Sequence, residues 1–187
     1  MLNNTMIAVP NTGTLHTRLV EWLLRQKAII NLSNARPLAH NRNLIVDEFL
    51  KSETEHLLMV DSDIVPPVNV LDMIDNDVDI CSAFARIPKG RELIPVGMVK
   101  NEDGYHHDYK HSAPGLHKVD AVGTGCILIR RNVFEVMKKP YFQFVYNEDG
   151  FIANGEDFNF CDKAKEAGFD IYFDSRYRCQ HYVSIPV

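Results

Sequence analysis

The sequence has little of what most directly marks a partner. It contains no run of lysine or arginine, and its formal charge is −5 with a pI near 5.9. The basic footprint of a nucleic-acid binder is therefore missing. No stretch approaches the roughly 18 consecutive apolar residues of a membrane span. The opening MLNNTMIAVP has neither a basic segment nor a long apolar core. A soluble, cytoplasmic protein is expected. Four cysteines, Cys81, Cys126, Cys161 and Cys179, are widely spaced without a C-x-x-C pair. That spacing gives no signature of zinc or dithiol chemistry, and the thiols are expected to be reduced. Repeats, linkers and low-complexity segments are absent. What is present is an acidic chain of 187 residues, 45% hydrophobic, enough for one well-cored domain over 1–187 whose partners are small substrates.

Short apolar runs alternate with helical patterns through the first half, the mark of a parallel sheet built from βαβ units. Strands are predicted over 6–9, 28–32, 56–60 and 79–83. A helix carries Leu15, Leu19, Trp22 and Leu23 on one face, a second spans 41–51 with Val46, Phe49 and Leu50 inward, and a short one covers 70–74. Strands over 94–99, 118–122 and 126–130, a helix over 155–167 and an apolar strand FDIYF follow. His106, His107, His111 and His117 fall in NEDGYHHDYKHSAPGLHK, whose polar, Gly- and Pro-punctuated composition reads as a solvated loop.

The third strand runs into LLMVDSDIVPP, residues 57–67. Two carboxylates at a strand tip repel each other unless water or a cation separates them, and hard Mg²⁺ or Mn²⁺ prefers oxygen ligands. The Asp61-Ser62-Asp63 triplet is thus either a solvated turn closed by Pro66 or a metal site facing a diphosphate. In open α/β sheets, ligands bind outside the carboxyl ends of the strands. An EF-hand is excluded, because IVPP replaces the ligands and glycine such a loop needs. In NGEDFNFCDKAKEAG, residues 154–168, Asn154 reads as an N-cap, and Glu156 and Asp157 occupy the first turn. Capping explains one acid, and the second is a candidate general base. Gly123 and Gly125 in AVGTGCILIRR allow close backbone approach to a ligand or form a bulge. His181 by itself reads as a surface residue in the tail.

Taken in order, the PNTGT turn, HNRN, LLMVDSDI, GTG, and GEDFNFCDKAKEAGFDIYF with its tail histidine resemble the GT-A glycosyltransferases, particularly small family 2-like members. The resemblance spans nearly the whole chain. It implies an α/β three-layer sandwich with a mostly parallel central sheet and a nucleotide-sugar donor, UDP-sugar favoured over GDP-sugar. It further implies Mn²⁺ or Mg²⁺ held by Asp61 and Asp63 with His181 completing the shell. Pro10, Thr12 and Arg42 match positions against the nucleotide, Ser62 lies within the D-x-D, and Gly123 and Gly125 match the donor-side strand. Asp157 matches the base of inverting members, which takes a proton from an acceptor hydroxyl, and Glu156 stands beside it. GED-type helices also occur in retaining members, so the stereochemical outcome stays open. NLSNARPL lacks the acid that often reads the nucleobase.

Two rival readings are testable. MVDSDIV matches a haloacid-dehalogenase-like phosphohydrolase with Asp61 as nucleophile, although that signature normally ends the first strand. A non-catalytic sugar-binding module would use Tyr105, Tyr109, Tyr141, Phe142 and Phe144 as a contact surface rather than as core.

Overall fold

The computed structural model describes residues 4–89, 92–95, 97–107 and 113–182, with the backbone alone for 86–89 and 92–95. Along the chain the strands are β1 (Thr5–Pro10), β2 (Ile29–Ser33), β3 (His56–Val60), β4 (Ile64–Val65), β5 (Ile80–Phe84), β6 (Arg86–Lys89), β7 (Glu92–Pro95) and β8 (Gly97–Asn101). They continue as β9 (Gly104–His107), β10 (Leu116–Val119), β11 (Ala121–Val122), β12 (Cys126–Arg130), β13 (Val145–Tyr146), β14 (Ile152–Asn154), β15 (Ile171–Arg178) and β16 (Gln180–His181). The helices are α1 (Thr17–Leu23), α2 (Leu38–Lys51), α3 (Arg131–Val136) and α4 (Glu156–Glu166), with a 3₁₀ helix at Val70–Asn76.

Seven strands form the central sheet in the order β10-β15-β5-β12-β3-β1-β2. β2, β1, β3, β5 and β15 run one way, while β12 and β10 run against them. β1, β3 and β12 read as nearly unbroken apolar runs because both faces of the sheet are covered. Their alternate residues separate cleanly. Met6, Ala8, Leu57, Met59, Ile127 and Ile129 point into one apolar cluster, with Phe49 of α2, Phe134 of α3 and Phe160 of α4. Ile7, Val9, Leu58, Val60, Cys126 and Leu128 point into the other, with Leu19, Trp22 and Leu23 of α1 and Met73 of the 3₁₀ helix. The period-2 pleat sorts each strand between two helical layers, which makes the three-layer sandwich.

Several sequence expectations are refined. The strand expected over 94–99 is two strands, β7 and β8, with residue 96 outside the described set. That expected over 118–122 is split between β10 of the central sheet and β11, which joins β8 and β9 in a three-stranded sheet. His106 and His107 lie in β9 and His117 in β10, so the expected polar loop is partly hairpin, while His111 and Tyr109 lie outside the described residues. Tyr141 and Phe142 are buried, Phe144 and Tyr105 pack on the first cluster, and Tyr105 donates a hydrogen bond to Asp162 at 2.5 Å. These aromatics are core, not a contact surface. The four cysteines are free thiols, three of them buried. Among the described residues no helix is long and apolar enough to cross a membrane.

Candidate functional site

The chain leaves β1 for β2 on one side and returns to β3 on the other, so the order reverses between β1 and β3, and a crevice opens at their carboxyl ends. Asp61 follows β3 at that crevice. Its N–H donates to Gly125 O at 2.8 Å, and Ile64 N–H closes the turn onto Asp61 O at 3.0 Å. The D-S-D turn is clamped from two sides. Ser62 O accepts from His16 N–H at 3.0 Å and Asp63 O from Tyr182 N–H at 2.9 Å, and the His16 and Tyr182 rings stack at 3.8 Å. β16 pairs antiparallel with β4, setting His181 opposite Ile64. Asp63 Oδ2 consequently lies 3.2 Å from His181 Nε2, across 118 positions of sequence.

Each polar residue of the HNRN segment beyond the histidine has its own task. Asn41 Nδ2 donates to Ser33 O at 3.0 Å, tying α2 to the end of β2. Asn43 accepts from Tyr141 N–H at 2.8 Å and donates to Phe142 O at 2.7 Å, pinning the loop after α3. Arg42 between them is 2% exposed. Its Nη2 meets Asp61 Oδ1 at 2.9 Å, its Nη1 donates to Thr124 O at 3.2 Å, and its Nε lies 3.7 Å from Glu156 Oε1. One buried guanidinium therefore joins the strand-tip acid, the GTG segment and α4. Burial pushes the Asp61 carboxyl above its ordinary value, opposed chiefly by this guanidinium. Arg42 Nε and Asn41 Oδ1 are buried without hydrogen-bond partners.

The cap of α4 is Gly155 rather than Asn154. Asn154 closes β14, and its Nδ2 donates to Asp162 Oδ2 at 3.1 Å. No side chain caps the helix, so neither first-turn acid is explained by a capping box. Glu156 is buried, and Asp157 Oδ1 accepts from Phe158 N–H at 2.8 Å. Burial, reinforced by the adjacent Glu156, raises the Asp157 carboxyl to about 6. A Cβ on Gly155 would stand 2.8 Å from Asp157 Oδ1, so the missing side chain at the cap lets that carboxylate fold back over the helix start.

These groups line two adjoining hollows. The first, about 210 Å³, is bounded by Arg42, Asp61, Asp63, Gly123, Gly125, Glu156, Asp157 and His181. The second, also about 210 Å³, is bounded by Pro10, Thr12, Asn41, Ser62 and again Asp61 and Asp63. Every site residue expected from the sequence borders one or both. The sequence reading missed Ser82 and Leu38, which line the first hollow, and Asn41 in the second. Asn41 was within reach, since it stands inside HNRN. Ser82 sits in an apolar strand and leaves no local signal.

The donor set of Asp63, His181 and Asp61 suits a hard or borderline divalent ion. As placed, no three His, Cys, Asp or Glu side chains among the described residues are gathered closely enough to hold one. Asp63 and His181 form a ready pair, while Asp61 turns one oxygen to Arg42. Asp61, Asp63 and His181 line one hollow and are the side chains that would hold such an ion.

No protein-family model matches the sequence, and no curated protein matches it in sequence. Solved structures do match. The crystal structure of A197 from STIV is 21% identical, covering 96% of this chain and 86% of that one, with a TM-score of 0.71. GalNAc-T7 with UDP, GalNAc and Mn²⁺ is 14% identical over 98% of this chain and 44% of that one, with a TM-score of 0.63. The inositol-1-phosphate CTP transferase from T. maritima is 10% identical over 98% and 91%, with a TM-score of 0.51. The fold is that of the GT-A and nucleotidyltransferase enzymes, with a mainly parallel seven-stranded sheet at its centre.

Proposed function

We propose that the protein is a metal-dependent glycosyltransferase that moves a sugar from a nucleotide-diphosphate sugar, UDP-sugar favoured, to an acceptor hydroxyl. One observation carries the reading: Asp61 and Asp63, from the first half of the chain, border the same cleft as Glu156, Asp157 and His181, which arrive from its last third. The likeness to GalNAc-T7 with UDP, GalNAc and Mn²⁺ supports the donor class and the ion.

In this reading the hollow beside Pro10, Thr12 and Asn41 receives the nucleotide. Asp61, Asp63 and His181 would hold Mn²⁺ or Mg²⁺, which would supply positive charge against the departing diphosphate. Arg42 holds Asp61 in place from beneath and offsets the charge of Glu156. Gly123 and Gly125 keep the cleft wall low, so a sugar can approach the backbone. Asp157 removes the acceptor proton as the acceptor oxygen forms its bond to C1 and the C1–O bond to the diphosphate breaks, which gives inversion. An elevated carboxyl of about 6 is well matched to proton abstraction near neutral pH.

The reading is preferred to a phosphohydrolase because the would-be nucleophile, Asp61, spends one oxygen on Arg42. Incubation with a panel of UDP- and GDP-sugars, with Mn²⁺ and with EDTA, tests it. Mn²⁺-dependent release of the nucleoside diphosphate is expected. Release of inorganic phosphate from phosphomonoesters instead would establish the phosphohydrolase, and no turnover with any donor would leave a binding module.

A further inference from the structure

A third hollow, larger than either of these two, belongs to neither half of this site. It measures about 320 Å³ and lies behind the β4–β16 ladder, with Arg18 and Arg25 from the α1 region, Arg178 from the end of β15, and Trp22 along its wall. One acid, Glu21, borders it, so three guanidiniums meet one carboxylate in a chain whose formal charge is −5. Arg18 and Arg25 make no ion pair within 4.0 Å among the described residues, and Glu21 pairs with neither. Arg178 is set over the Phe84 ring at 5.8 Å. Trp22 is buried, and its Nε1 donates to Pro67 O at 3.4 Å. The hollow therefore has an apolar, fixed back and a surplus of two positive charges at its mouth.

The ladder gives this hollow a connection to the cleft. Val65 pairs with Gln180 and Ile64 with His181. Alternation along each short strand turns Ile64 and His181 to the Asp61 and Asp63 side, and turns Val65 and Gln180 to the arginine side. A two-residue ladder is thus the partition between the two hollows.

We propose that the arginine hollow is a second binding site, for a phosphate group, distinct from the donor cleft. Guanidinium forks match phosphate oxygens in pairs, and a dianion would neutralise the surplus charge left by Glu21. A group bound there braces Gln180, and through the ladder holds His181 beside Asp63. The phosphate belongs either to a soluble phosphoester or to a lipid headgroup, since both present the same oxygens.

The experiment measures binding of pyrophosphate by calorimetry in EDTA, which removes metal-assisted binding at the donor cleft, alongside sedimentation with phosphatidylcholine vesicles with and without phosphatidic acid. The parent and Asp63→Asn are expected to bind equally. Arg18→Ala/Arg25→Ala, both changes being at exposed positions, is expected to weaken binding at least about tenfold while its thermal unfolding stays parental. Binding of pyrophosphate that the double variant weakens identifies a soluble phosphate ligand. Retention on phosphatidic acid vesicles alone, abolished by the same double variant, identifies a lipid phosphate. Absence of binding in both arms, or binding indifferent to the double variant, overturns the proposal. The outcome is independent of glycosyl transfer, since neither donor nor turnover enters the measurement.

Discussion

Arg42 and Asp61 meet at 2.9 Å beneath the candidate cleft, the guanidinium almost wholly enclosed and the carboxylate reaching its floor. The pair makes Arg42 a structural cation as much as a site residue. Removing one partner of a buried pair leaves an uncompensated charge, at a cost of about 3 to 5 kcal/mol. Arg42→Ala is therefore expected to unfold at markedly lower urea, with Glu156 and Asp61 both deprived. Arg42→Lys retains charge without the fork and should recover part of the loss. An unfolding midpoint equal to the parent's would mean that the two acids reach water instead.

Asp157 ties kinetics and stability to one titration. As the proposed base it must be ionised, so kcat should rise with pH through about 6 and level off above it. The stability sign is opposite. A carboxyl raised in the folded state favours its protonated form, so its contribution is present below the ordinary carboxylate range and is lost as pH rises through about 6. Asp157→Asn should then lower kcat by roughly 10² to 10⁴ while stabilising the fold at pH 7.5 by up to about 3 kcal/mol. Near-parental kcat in that variant would transfer the role to Glu156 or to a retaining mechanism.

Gly155→Ala isolates the position of that carboxylate. Its φ of −68° suits alanine, but the new methyl must displace Asp157 Oδ1. Stability should fall by only about 1 kcal/mol or less, the usual difference between glycine and alanine at an N-cap. A fall in kcat of about tenfold or more, with donor KM unchanged, is the expected signature of a misplaced base. Parental kcat would show that the carboxylate has room to return.

Asp63→Asn addresses the ion. Calorimetry with UDP should give an affinity at least about tenfold weaker than the parent's in Mn²⁺, and equal to it in EDTA. Equal affinities in Mn²⁺ would remove Asp63 from the metal site.

Arg131 offers a contrast away from the cleft. It donates to Phe49 O, Ser52 O and Thr54 O at 3.1, 2.7 and 2.8 Å, closing the end of α2, and lies over the Phe49 ring. Charged hydrogen bonds of this kind are worth about 1.5 to 3 kcal/mol. Arg131→Ala should lose about that much stability, read by urea unfolding, with donor KM unaltered.

Local chemistry made much of this molecule legible. The apolar runs of β1, β3 and β12 announced strands buried on both faces, and the spacing of Leu19, Trp22 and Leu23, or of Phe160 and Ala164, announced helices lying on a core. Two aspartates directly after a buried strand marked the tip of a sheet, because charge is tolerated there and not one residue earlier. These features are short-range: pleat, helical period and the cost of burying charge act within a few residues.

Other features were decided only when distant segments met. β12 is inserted antiparallel between β3 and β5, splitting a sheet that the alternating pattern presented as continuous. The helix cap passed from Asn154 to Gly155 because β14 and Asp162 claimed the asparagine. His181 reached Asp63 because β16 paired with β4, and Arg42 was enclosed because α2, the GTG segment and α4 close over it. The sequence by itself determined which residues could be buried, turned or charged. Which of them became neighbours was decided by strand pairing and layer packing, since these contacts join positions up to 118 apart and leave no period in the chain.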